Sequence, residues 1–80
     1  MTREEIHERL TEVFRDVFDD PTLVISDATT ARDVEGWDSL MHVNLIVATE
    51  KALNVSFTTK QVQSLTNVGD FISLIASRLT

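Results

Sequence analysis

Between Leu40 and Leu53 the chain carries apolar residues on more than one side of any helix it could form. Leu45, Ile46, Ala48, Ala52 and Leu53 make one broad side, with Thr49 among them. Leu40, Val43 and Val47, spaced i, i+3 and i+7, make a second stripe. In a chain of 80 residues this is a severe constraint. A domain of that size is near the lower end of what folds alone without disulfides or metal, and there is no cysteine to supply either a disulfide or a thiolate site. Stability must come from a compact helical core, and a few short helices cannot easily cover both sides of a central one. Two outcomes stay open: both stripes are packed, or one is left exposed as a docking surface or as the mouth of a ligand site.

Three further helical segments follow from spacing. Ile6, Leu10, Val13, Phe14, Val17 and Phe18 recur at helical intervals; Thr2 and Glu5 make a capping-box pattern, and Asp19-Asp20-Pro21 ends the run. From Pro21 to Asp38 the chain is rich in turn and cap residues, with apolar anchors only at Leu23, Ile25, Val34 and Trp37. It reads as a long loop pinned to the core at intervals, with a short turn near Thr30 to Val34, and loops of this length in compact domains are often functional. The second helix is expected from about Ser39 to Leu53. Val62 and Leu65 suggest a short third helix over about Thr59 to Ser64. Asn67, with Asp70 three residues later, caps a last helix in which Val68, Phe71, Ile72, Ile75 and Leu79 keep helical spacing. Val55 and Phe57 alternate as in a strand, but two residues do not make a sheet. The expected fold is all-α: one domain over residues 1–80, a small four-helix bundle of three longer helices and a short third one, with a long loop between the first two.

Charge narrows the class of partner. The net charge is −6 and the isoelectric point is near 4.6, which argues against binding a phosphate backbone and so against nucleic acid. Residues 1–40 hold eleven acids and four bases, whereas residues 41–80 hold Glu50 and Asp70 against Lys51, Lys60 and Arg78. The acidity therefore belongs to the first helix and to the loop before Ser39. No stretch approaches the length of a membrane span, and the start Met1-Thr2-Arg3-Glu4-Glu5 lacks an apolar leader core. A soluble, monomeric, cytoplasmic protein is expected, in keeping with the missing cysteines.

The candidate chemistry lies in Gly36-Trp37-Asp38-Ser39-Leu40, which places a serine hydroxyl where a polar loop becomes the apolar second helix. The first turn of a helix has unpaired N–H groups and a partial positive charge, so a phosphate esterified there is held rather than repelled. Asp38 suits the N-cap and Gly36 the turn into it. Asp-Ser before an apolar run is equally an ordinary helix start, and a non-catalytic helical interaction module in which Asp38-Ser39 is only a cap is the competing possibility. A serine hydrolase using His42, three residues after Ser39, finds no support: there is no Gly-x-Ser-x-Gly elbow, no strand to carry one, and no evident group to orient the imidazole. His7 lies among Arg3, Glu4 and Glu8 on what reads as a solvated face, with too few neighbours to close a metal site. Glu4, Glu5, Glu8, Glu12 and Asp16 read as a charged outer face, and no carboxylate pair is placed for acid–base work.

The segment Asp33-Val34-Glu35-Gly36-Trp37-Asp38-Ser39-Leu40-Met41-His42-Val43 resembles the prosthetic-group attachment site of the acyl carrier protein family, and the resemblance extends from Ile6 to Leu79. In that family the serine of an Asp-Ser-Leu core bears 4′-phosphopantetheine; the match falls on Asp38, Ser39 and Leu40. The resemblance implies a carrier rather than an enzyme. A phosphopantetheinyl transferase would load Ser39 from coenzyme A, and the arm's thiol would hold acyl, aminoacyl or polyketide intermediates as thioesters for acyl-loading and acyl-processing enzymes. It also implies that Asp38 helps position the hydroxyl and metal during transfer. Leu40, Met41, Val43 and Val47 would form the face read by partners, while Ile46, Leu53 and Phe57, with Phe14, Val68 and Phe71, would line the interior that a carried chain enters. Two departures stand out. Fatty-acid carriers usually have a run of acids along the second helix, but here Met41, His42 and Asn44 follow Leu40 and Lys51 follows Glu50, which favours a specialised polyketide-like or lipid pathway over housekeeping fatty-acid synthesis. Thr49 stands where the family tends to have a larger aliphatic residue, which would loosen the core or the chain pocket slightly.

Overall fold

The computed structural model describes residues 1–79, and its order of elements is α1 (Arg3–Val17), α2 (Ser39–Leu53), α3 (Thr59–Gln63) and α4 (Val68–Leu79), with no strand among the described residues. The expected all-α fold of three longer helices and one short one is what forms. α1 starts where its sequence signals: Thr2 Oγ1 accepts the Glu5 amide at 3.1 Å and the Glu5 carboxylate accepts the Thr2 amide at 2.9 Å, a reciprocal box that satisfies two end donors. Hydrogen bonding of the Glu5 carboxylate to Thr2, to its backbone first and its side chain second, lowers the pKa of the Glu5 carboxyl. α3 repeats the device with Thr58 and Gln61, then ends at Gln63, so Ser64 is its C-cap rather than its last residue. At α4 the Asn67 side chain accepts the Asp70 amide at 2.7 Å.

The core is formed where α1 packs against α2 and α4. Ile6, Leu10 and Phe14 of α1, Leu45 of α2 and Val68, Ile72 and Ile75 of α4 are wholly shielded from solvent. Thr49 is the buried polar residue of this core, and its hydroxyl is satisfied by donating to the Leu45 carbonyl at 2.7 Å, so no orphaned polar group accompanies it.

Residues 18–38 form no regular element, yet their backbone is tied at many points. Ile25 and Val34 are buried, and Leu23 and Trp37 half-buried, at the four positions expected to anchor this loop. What spacing alone missed is the polar half of the attachment. His7 Nε2 donates to the Ile25 carbonyl at 2.7 Å and Arg15 Nε to the Leu23 carbonyl at 2.8 Å. The Val68 and Gly69 amides at the start of α4 donate to the Thr29 and Asp27 carbonyls, both at 2.9 Å. Backbone carbonyls without a ladder need partners from elsewhere, and here α1 side chains and the first amides of α4 provide them. His7 is therefore half-buried and engaged with the loop, not on a solvated face as expected. The approach at Gly69 is close: a Cβ there would lie 3.0 Å from the Asp27 carbonyl oxygen, so the loop would have to give way to any larger residue.

Candidate functional site

Two backbone decisions bring the chain into α2. Gly36 adopts φ +87°, a left-handed conformation that costs a residue with a Cβ, although nothing within 4 Å would obstruct the added atom. The Trp37 amide then bonds the Val34 carbonyl at 3.2 Å and Asp38 takes an extended conformation at the N-cap. Asp38 Oδ1 accepts the Met41 amide at 2.9 Å, and its carbonyl accepts the His42 amide at 2.9 Å. These two bonds cap the helix and leave the Ser39 and Leu40 amides without an acceptor among the described residues.

Ser39 is the first residue of α2 and is exposed. Among the described residues nothing hydrogen-bonds its hydroxyl, so Oγ is free to react with a group presented from outside. Beside it opens a cleft of about 650 Å³, bordered by Trp37, Asp38, Ser39, His42 and Val43 on one side and by Val62, Leu65 and Phe71 on the other. The six residues expected to line the bundle interior do lie there: Phe14, Ile46, Leu53, Val68 and Phe71 are buried in the core and Phe57 is half-buried against it, and Phe71 also borders the cleft.

The second stripe of α2 lies outside the bundle. Leu40 is 71% exposed, Val43 57% and Val47 44%, while Leu45, Ile46, Thr49 and Leu53 are buried. Met41, expected on the same outward face, is half-buried, and Ala52, expected with the buried side, is exposed. α2 also offers no free acid: its single carboxylate, Glu50, is half-buried and accepts the Phe57 amide at 3.0 Å. His42 does more than sit on the helix shoulder, because its Nδ1 accepts a hydrogen bond from the Trp37 indole at 3.1 Å. No group of three or more His, Asp or Glu side chains among the described residues is placed to hold a metal ion.

Known proteins give this geometry its context. Residues 8–75 match the family described as "Phosphopantetheine attachment site". The chain belongs to the acyl carrier protein family. It is 31% identical over 77 residues to an acyl carrier protein of Acidothermus cellulolyticus, covering 96% of this chain and 92% of that protein. Its structure is similar to the solution NMR structure of the holo acyl carrier protein of Geobacter metallireducens, with a TM-score of 0.85 and 42% sequence identity over 91% of this chain and 84% of the other. A member of this family is a carrier and not a catalyst, and it holds a covalent 4′-phosphopantetheine received from a phosphopantetheinyl transferase. The residues present fit such a group: the site offers an unengaged hydroxyl, two amides without acceptors, and an adjoining cleft with apolar walls. When bound, the group supplies a thiol, which a chain without cysteine lacks. Among the described residues no helix is long and apolar enough to cross a membrane.

Proposed function

We propose that Ser39 is the residue that bears the phosphopantetheine arm, and that this domain carries acyl, polyketide or aminoacyl thioesters on it. One observation carries this assignment: the Ser39 hydroxyl is exposed and unengaged at the capped start of α2, at the rim of the cleft. Asp38 shapes the approach to that hydroxyl by fixing the helix start, and Leu40 stands beside it as the first exposed apolar contact. Leu40, Val43 and Val47, with the edge of Met41, form the surface on which the transferase and the acyl-loading and acyl-processing enzymes dock.

The pathway is inferred from the same helix. A partner that recognises a row of acids finds none on α2, because Glu50 is held by the Phe57 amide and the first turn carries no acid. Docking is apolar, which suits a dedicated polyketide-like or lipid pathway in the cytoplasm better than general fatty-acid synthesis. The carrier works as a monomer, since α2 must stay open to successive enzymes.

Incubation with coenzyme A, magnesium and a promiscuous phosphopantetheinyl transferase, followed by intact mass measurement, tests the assignment. The wild-type chain gains one arm and Ser39→Ala gains none. Modification of Ser39→Ala would overturn it.

A further inference from the structure

The two histidines spend their ring nitrogens differently. His7 Nε2 is committed to the Ile25 carbonyl at 2.7 Å. His42 faces Trp37, whose Nε1 lies 3.1 Å from His42 Nδ1, with the rings stacked at 17° and 6.0 Å between centroids. An indole N–H can only donate, so Nδ1 must be the bare nitrogen and the ring proton of a neutral His42 sits on Nε2. Trp37 is in turn held by the core. Its ring meets Phe14 edge-on at 5.2 Å and lies 6.2 Å from Phe18. A chain of contacts from α1 through the indole thus selects one tautomer of His42. The resulting Nε2–H has no acceptor among the described residues, although His42 is half-buried and borders the cleft together with Ser39.

His42 follows Ser39 by three residues, so the two side chains leave the same side of α2. Helical side chains lean toward the N-terminus, which lays the imidazole over the turn that holds Asp38 and Ser39. We propose that His42 binds the root of the arm, its Nε2–H donating a hydrogen bond to a non-bridging oxygen of the phosphodiester on Ser39, with Trp37 as the positioning residue that fixes the tautomer. The inference rests on Ser39 as the attachment residue. A hydrogen bond to an anionic oxygen is among the stronger kinds, and it holds the first segment of the arm beside the cleft instead of letting it pivot freely in solvent. Neither residue takes part in forming or breaking the ester.

Long-range ¹H–¹⁵N spectra of the histidine rings at mildly alkaline pH, in apo and holo protein, together with the ³¹P spectrum of the holo form, test this directly. The expected result is a bare Nδ1 and protonated Nε2 for His42 in both forms, with a shift of its ring signals on conversion to holo while those of His7 stay in place. The ³¹P resonance should move in His42→Phe and return toward the wild-type position in His42→Gln, whose amide N–H donates from a similar reach. Trp37→Phe keeps an aromatic ring against Phe14 but removes the donor, and should give a mixture of His42 tautomers. If His42→Phe does not fold, the wild-type spectra alone decide. A His42 protonated on Nδ1, or ring signals that do not move although mass measurement shows the arm on Ser39, would overturn the proposal; an arm absent from Ser39 would instead overturn the assignment of that serine.

Discussion

The two sides of α2 are built from the same kinds of residue and meet opposite fates. Leu45, Ile46 and Leu53 lie in the core, whereas Leu40, Val43 and Val47 stand in solvent on the same fifteen-residue helix. Composition cannot distinguish them. The difference is set by packing: α1 packs against α2 and Leu45, Ile46 and Leu53 join the shared core, whereas Leu40, Val43 and Val47 stay exposed, in a stripe that begins beside Ser39. An exposed stripe gains nothing for the folded state, and its presence on a carrier is understandable as surface for partners.

Truncation on either side sharpens this contrast most. Leu45→Ala should cost about 2–5 kcal/mol, lowering the melting temperature by roughly 10 °C or more in a domain of this size, as read by thermal unfolding. Val47→Ala, on the other side, should stay within about 0.5 kcal/mol and should show its effect in slower modification by the transferase. Equal destabilisation by the two would break the comparison.

The entry to α2 is next in size. Gly36→Ala should cost about 1–2 kcal/mol through its left-handed backbone, since no neighbour obstructs the methyl group. Asp38→Ala should cost about 1 kcal/mol by leaving the Met41 amide uncapped, and denaturant unfolding measures both. The smallest effect lies at the start of α1. The Glu5 carboxyl has its pKa lowered by its hydrogen bonds to Thr2, so its contribution to stability is present above the ordinary glutamate value of 4.5 and is lost as pH falls through the lowered one. The protection of the first-turn amides of α1, their exchange taken relative to that of an unstructured peptide at the same pH, should fall over that acidic range and not above it; a fall in protection near neutral pH would contradict the assignment.

The helices were legible because their ends are marked by local chemistry. Thr2 with Glu5, Asp38 at the start of α2 and Asn67 with Asp70 all act where their positions suggest. The anchors Leu23, Ile25, Val34 and Trp37 were legible as apolar residues in a polar loop. Polar cross-links were not, because they join residues far apart in the chain. Nothing near His7 signals that its imidazole will meet the Ile25 carbonyl 18 residues away, and Arg15 gives no sign of its bond to Leu23. The exposed stripe was legible as a stripe, but which side would be covered depended on packing. Trp37 and His42 were each visible singly, and their pairing had one available signal: five residues apart across a helix start, with the imidazole leaning back toward the indole. The cleft escaped because its walls come from α2, the short α3 and the start of α4, segments separate in the chain that only the fold brings together.

Fragmentation mass spectrometry of the holo protein, mapping the arm to a single residue, tests the central claim most directly. The arm is predicted on the peptide that contains Asp38-Ser39-Leu40 and on Ser39 within it. Its discovery on any other hydroxyl of the chain would contradict the assignment of the start of α2 as the point where cargo is attached.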